Sequence, residues 1–561
     1  MGIAPACSAT SPAISGNIKT FESLTAFDGL TANGVWTLTV NDPYNGDGGS
    51  VNAFSLKICN KVAITPIPVL TSNTLNVVAT STTILSNSDL SATSTAQTDL
   101  QQTYTLLETP ILGNLKKNGT NLVVGNIFTQ KDINDGIITY TNTESTTTST
   151  TFKVDVKNAN NGWIPSRTVT INIIPCGSVT TSWNGSAWSN GTPTKTTAVT
   201  FTGNYNSTSN LEACSITINT GINVVVNSGH TFTTNGIVTV NGIGTFTVNN
   251  DAALKQIDPT VVNIGNIIVK RNSASMVRLD YTAWSSPVSG QQLQSFSPNT
   301  IATRFYQYLF TGTTTPTAYQ SVAATSNFIS GKGYMIRAAN DWPITPTAFN
   351  GQFTGVPTNG NVSQSVGIGY NLLGNPYASP IDARAFLTSN PSIGTLYFWT
   401  HTVAAVGSTY PQNNYASYTT LGGVASAAGG AVPNGTIQTG QGFFINATAA
   451  GNANFFNTQR VNASVSTQFY RSSNEITTIN ENEKHRIWLN LNDNVNSYNQ
   501  ILVGYTDNAT NGFDTAIDGE VLDKSNTMLY NVINDSEFVI QGKGLPFADT
   551  DEVSLGLKAT I

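Results

Sequence analysis

The sequence predicts an all-β protein of several domains, and three observations predict it. Only 10% of the 561 residues are Asp, Glu, Lys or Arg, and Thr, Asn and Ser fill the remaining polar positions. Thr favours strands, Asn, Ser and Gly favour turns, and these residues are poor helix formers. The second observation is alternation. Trp36, Leu38 and Val40, then Phe54, Leu56 and Ile58, then Ile487, Leu489 and Leu491 follow the two-residue period of half-buried strands. The third is length, because 561 residues exceed one core and, at roughly 100–200 residues per domain, make about three to five domains. We therefore expect a chain of β-sandwiches with a short β-solenoid-like segment and little helix.

The same composition excludes several classes of function. Hydrophobic residues at 39%, with 24 Phe and 19 Tyr, are enough for packed cores and too many for a disordered chain. The net charge is −6 and no basic run is long enough to follow a phosphate backbone, so nucleic acid is not an expected partner. No stretch reaches the ~18–20 apolar residues that span a bilayer. The four cysteines, Cys7, Cys59, Cys176 and Cys214, include no C-x-x-C, which disfavours a thiolate metal site. They allow three connectivities. The local pairs Cys7–Cys59 and Cys176–Cys214 would each staple one module, and buried free thiols are the alternative.

Residues 1–60 hold two strands around a turn, Gly34–Val40 and Val51–Ile58, with Asn41-Asp42-Pro43 and Gly48-Gly49 between them. Phe27, Gly29, Asn33 to Leu38, Asp42, Gly46-Asp47, Gly49 and Leu56 resemble the closing half of a P/Homo B domain, with Phe54 where that family usually has Trp. P domains are β-sandwiches that follow the catalytic domain of furin- and kexin-like proteases. The resemblance implies an opening half before Met1, and it marks Asp42 and Asp47 as candidate calcium ligands.

Residues 61–175 open on the linker Thr65-Pro66-Ile67-Pro68. Tyr104, Leu106, Pro110, Gly113-Asn114-Leu115, Phe128 to Ile133, Gly136, Ile138-Thr139-Tyr140 and Phe152 to Val156 resemble a cadherin-like repeat of the chondroitin-sulfate-proteoglycan type, a spacer and adhesion module. Asp132 and Asp135 within it read as turn formers rather than calcium ligands. From 176 to 256 short Val-rich strands recur every eight or so residues, with Gly221, Gly229, Gly236, Gly242 and Gly244 between them. That spacing predicts a β-solenoid or a stacked hairpin array.

Residues 257–470 state one pattern twice, in copies at about 279–355 and 370–460. Ser286-Pro287-Val288-Ser289 matches Asn375-Pro376-Tyr377-Ala378, the aromatic run Phe305 to Tyr308 matches Tyr397 to Trp399, and Gly331-Lys332-Gly333-Tyr334 matches Gly440-Gln441-Gly442-Phe443. The second copy carries extra Ala-, Gly- and Ser-rich sequence from Val403 to Asn434, expected in a surface loop. Ser379-Pro380-Ile381-Asp382 reads as cap, N1 proline and N3 acid, so a short helix is expected there. Residues 471–561 alternate again and predict most of a β-sandwich whose last strand lacks a closing partner.

Residues 176–561, through phrases such as TSWNGSAWSNGTP, YNLLGNPYASPID, GQGFFINA and QILVGYTDNATNGFD, resemble the C-terminal region of large surface proteins that Bacteroidetes export by type IX secretion. In that family a sorting domain follows, so the two resemblances together imply an internal piece of a longer exported polypeptide. They place it outside the cell or on the outer-membrane surface, with the type IX machinery as a partner.

No catalytic set emerges. His230, His401 and His485 lack metal spacing, and neither a G-x-S-x-G elbow nor a P-loop is present. Asp280, Asp341, Asp382 and Glu475 are carboxylates that any antiparallel sandwich could pair, so they discriminate nothing. Asp507 and Asp514 bracket a candidate calcium loop, although Ala509 removes the third ligand position of an EF-hand. No cofactor other than calcium is expected. Among the aromatics, Trp284 and Trp399 read as core, and Trp342, in a turn, is the exposed candidate for glycan stacking. The reading is a non-catalytic adhesion, scaffolding or display protein with an extracellular protein or glycan ligand. The alternatives are the accessory region of an exported subtilisin/kexin-like serine endopeptidase and a carbohydrate-binding module.

Overall fold

The computed structural model describes residues 37–39, 67–94, 98–160, 162–308, 319–402, 414–427, 429–463, 485–492, 498–522 and 527–559. The chain divides into two compact units, Met1–Ile67 and Pro68–Ile561. The strands expected in residues 1–60, with Asp42, Asp47, Cys7 and Cys59, lie almost wholly outside the described residues. The second unit is all-β. Among the described residues, α-helix is confined to Gln130–Asn134, Leu293–Phe296 and Ala383–Thr388.

The first module of this unit is a sandwich of a six-stranded and a four-stranded sheet sharing one core. Its first and last strands, Val69–Val78 and Trp163–Ile174, pair in parallel, and Thr148–Lys157 adds antiparallel to the latter. Alternation along these strands buries Phe152, Val154 and Val156 beside Val169, Ile171 and Ile173. Asp132 and Asp135 are not in a simple turn. Asp132 closes a capping box with Thr129 at the start of Gln130–Asn134 and pairs with Lys117 at 2.7 Å, while Asp135 pairs with Lys131 at 2.9 Å.

A parallel solenoid follows, not a hairpin array. Ile216 lies on Val238, Val224 on Phe246 and Phe232 on Leu254, so this coil advances 22 residues through three strands. The inward residues stack in columns, Phe201, Phe232 and Phe246 among them. Outward asparagines bond between coils, as from Asn249 Nδ2 to Asn227 Oδ1 at 3.4 Å. Trp183 and Trp188 pack edge to face at 5.2 Å against this core, and a Cys176–Cys214 disulfide ties the entering chain to a rung. Lys195 forms an ion pair with Asp89 of the sandwich.

The solenoid does not end where the duplicated pattern begins. Ile267–Met276 adds in parallel to the solenoid strand Thr245–Val248, and Thr347–Pro357, from the end of the first copy, adds antiparallel to Ile267–Met276. Each copy then contributes its own antiparallel sheet. The first orders Tyr281–Trp284, Tyr334–Arg337, Phe305–Tyr308 and Tyr319–Ser321. The second orders Gly369–Gly374, Gly442–Ala447, Ile393–Trp399, Tyr415–Thr419 and Gly422–Val424.

Two expectations are corrected here. The second copy's helix begins three residues later than the proline suggests, because Ile381–Asp382 pairs with Thr436–Ile437 and stays extended. Asp382 is the cap and accepts from Ala385 N at 2.7 Å. The first copy carries its own short helix, Leu293–Phe296, at the matching place. The segment from Val403 to Asn434 is not simply a surface loop: its described part forms the buried strands Tyr415–Thr419 and Gly422–Val424. There the small residues permit backbone contact, since a Cβ on Gly423 would lie 2.4 Å from Pro433 O.

The last described strands form a six-stranded sheet that packs on this segment through Leu421, Val424, Leu502 and Ile540. Trp488 Nε1 donates to Gly423 O at 3.0 Å and Arg486 to Leu421 O at 3.2 Å. The final strand, Leu555–Lys558, is paired with Met528–Ile533 rather than left without a partner.

Candidate ligand-binding cleft

Two hollows of about 210 and 510 Å³ adjoin where the first copy meets the solenoid sheet. Both are lined by Pro298 and Phe349. The smaller also takes Trp284, Asn299, Arg337, Asp341 and Trp342, and the larger takes Gln291, Gln292, Asn350 and Gln352. The turn after Tyr334–Arg337 positions Trp342, whose backbone N–H donates to Ala339 O at 3.1 Å. Trp342 is half-buried rather than freely exposed. Its indole N–H donates to Met276 O at 3.2 Å and its ring sits 6.0 Å from that of Phe349. Beneath it Trp284, 1% exposed, packs edge to face on Phe296 at 5.0 Å. Trp399, by contrast, is partly buried in a separate aromatic cluster with Tyr397 and Tyr415.

The other singled-out residues are scattered. Asp507 is exposed. Asp514 is occupied within its own loop, accepting from Thr510 Oγ1 at 3.0 Å, and its N–H donates to Asp518 Oδ2 at 2.6 Å. Among the described residues no group of three His, Cys, Asp or Glu could hold a metal ion. Asp518 is fully buried, and burial pushes its carboxyl up to about 7. His230 on its solenoid rung sits 2.8 Å from Ser207 Oγ.

One constellation is invisible in the sequence. His401 of the second copy reaches into the first, with Nε2 3.2 Å from Thr282 Oγ1 and Nδ1 3.7 Å from Asp280 Oδ2. The three residues lie in the order of a hydroxyl, an imidazole and a carboxylate, 119 residues apart for the first pair. Catalysis by such a set needs a reachable hydroxyl and donors for an oxyanion. Thr282 is 2% exposed, its Oγ1 also faces Met276 Sδ at 3.4 Å, and neither Thr282 nor His401 lines the cleft. The set is a buried polar contact between the copies.

Fold and site together define a multidomain all-β protein in which a sandwich leads into a solenoid carrying a duplicated sheet unit. Residues 68–173 match a cadherin-like domain. Residues 175–561 match a family described as a domain of unknown function, DUF8693, and with that match over more than half its length the chain belongs to this family. A comparison with curated proteins found no match.

Proposed function

We propose that the chain is a non-catalytic module of an extracellular or cell-surface protein that serves adhesion, scaffolding or display. The observation that carries this is the cadherin-like sandwich at 68–173, an adhesion-type module, placed ahead of a body in which the Thr282, His401 and Asp280 set is buried. No helix among the described residues is long and apolar enough to cross a membrane, which is compatible with an exported protein. The resemblance of residues 176–561 to type IX cargo supplies the export route in this reading. Surfaces coated with the full chain should retain cells or matrix fragments above an albumin-coated control, and equal retention on both would overturn it. In the native host, loss of the type IX translocon should remove the protein from the cell surface.

A second reading rests on the residues from Phe27 to Leu56 that resemble a P domain. It makes the chain the accessory region of an exported serine endopeptidase. An Asp, His and Ser peptidase set encoded ahead of Met1 would favour this second reading over the first.

A further inference from the structure

The two hollows adjoin at Pro298 and Phe349, and the wall chemistry of this groove selects a ligand class. We propose that this groove binds an uncharged polysaccharide chain, with a sugar face against Trp342 and hydroxyls against the amides of Asn350 and Gln352. The inference deepens the adhesive reading by naming a ligand and is tested apart from it.

A sugar ring presents a flat apolar face and a hydroxyl-bearing edge, so its binding site needs aromatic surface beside short-range donors and acceptors. The groove has both. Trp342 is held on two sides, by its bond to Met276 O and by the Phe349 ring, so stacking on it costs little ordering entropy. Asn350 and Gln352 stand two residues apart on Thr347–Pro357, exposed and on one face, while Phe349, Gly351 and Phe353 take the inward face. Among the described residues neither side-chain amide has a hydrogen-bond partner, whereas Gln291 and Gln292 beside them are tied to Thr354 N and Thr325 O. A free primary amide offers two donors and one acceptor group, which suits neighbouring hydroxyls. The strand beneath is paired with Ile267–Met276, Asn350 opposite Asn272 and Gln352 opposite Lys270, and this long ladder supports the two amides, while Val288–Ser289 pairs further along at Val356 and Pro357.

Charge decides against an acidic polymer. Asp341 lies exposed at one end, Lys270 stands exposed opposite Gln352 in the sheet, and Arg337 is engaged with Asn340. Opposite signs at separate points give no single-sign field to attract uronate or sulfate chains.

Affinity electrophoresis of the full chain in gels containing a mixed-linkage glucan, a mannan, a neutral xylan, polygalacturonate or heparin tests this. At least one neutral polymer should retard the protein, and Trp342→Ala and Gln352→Ala should each weaken that binding tenfold or more. Ile243→Ala, on an exposed solenoid turn away from the groove, should leave it unchanged. Gln352 is exposed, so its variant reports binding even if Trp342→Ala unfolds. Binding to acidic polymers alone, binding that survives both groove substitutions, or no binding to any neutral polymer overturns the proposal. If the wild type retains cells but binds no neutral polymer, this inference fails and the adhesive reading stands.

Discussion

Trp284 of the first copy is bridged through its backbone to Gln441 of the second, and the equivalent residues, Leu373 and Lys332, form the reciprocal bridge. Ser285 N donates to Gly440 O at 2.9 Å and Gly374 N to Gly331 O at 3.0 Å, which is the same exchange one residue on. The two copies therefore meet through the same patch used twice, as subunits do in a twofold dimer. The repeated Gly-x-Gly follows from this contact. Gly331 and Gly440 turn the chain at φ 79° and 73°, a left-handed conformation that a side chain disfavours. Gly333 and Gly442 then lie against the other copy's backbone.

A methyl group at Gly333 or Gly442 should loosen this contact. A Cβ on Gly333 would stand 2.4 Å from Leu373 O, and one on Gly442 would stand 2.9 Å from Ala283 C. Gly333→Ala and Gly442→Ala are each expected to cost about 1–3 kcal/mol, the usual range for overpacking, with Gly333→Ala the larger. Gly451→Ala, where nothing lies within 4 Å, should change stability by less than about 0.5 kcal/mol. Urea unfolding of the three variants measures this, and equal effects at all three would contradict it.

Arg460 fastens the second copy to the solenoid. Its guanidinium lies 4.8 Å from the Tyr377 ring centroid and donates to Leu254 O at 2.6 Å and Ser379 Oγ at 3.0 Å. Burial holds its pKa down at about 10, so the charge persists at neutral pH. Arg460→Ala strands buried acceptors on both sides and should cost roughly 3–5 kcal/mol. Arg460→Lys should recover little of that, because one ammonium cannot span the planar set of partners. Hydrogen exchange at Phe232 to Gln256 should rise in both variants, and protection left at the wild-type level would count against this role.

The duplication and the solenoid could be read in the sequence because their signals are local. Alternation, Gly at turns and recurring aromatics are set within a few residues of one another. The helix start at Asp382 could not, because what moves it is the pairing of Ile381 with Ile437. The strand Gly422–Val424 looked like a loop because Gly and Ala reveal nothing of the backbone they press against, here Pro433 and the sheet around Leu502. Of the candidate cleft only Trp342 was legible. Asn350 and Gln352 became visible once their strand was placed in the solenoid sheet, and His401 met Thr282 only through the contact between copies.

The packing of the last sheet should depend on Leu421. It is 2% exposed, in one cluster with Val424, Leu502 and Ile540. Leu421→Ala should cost about 2–5 kcal/mol, as buried Leu truncations do. The loss should appear as earlier proteolysis within residues 485–559, with the solenoid still protected. Uniform digestion of the whole second unit would mean that this sheet does not open separately.

Asp518 makes stability depend on pH in a defined direction. Burial raises its carboxyl from 3.8 to about 7, although Gly542 N and Asp514 N donate to it and pull the other way. Between about pH 4 and pH 7 the folded protein keeps a proton that the unfolded chain has lost. The stability this contributes is complete below the unfolded pKa and disappears as pH rises through about 7. Glu520, also raised by burial against a bond from Asn446, acts in the same direction. The urea midpoint of the C-terminal sheet, followed by hydrogen exchange, should therefore fall from pH 5 to pH 8. Asp518→Asn cannot titrate, so the fall should shrink in that variant whatever its absolute stability. A midpoint that rises over this window, or a wild-type slope retained in Asp518→Asn, would remove Asp518 as the cause.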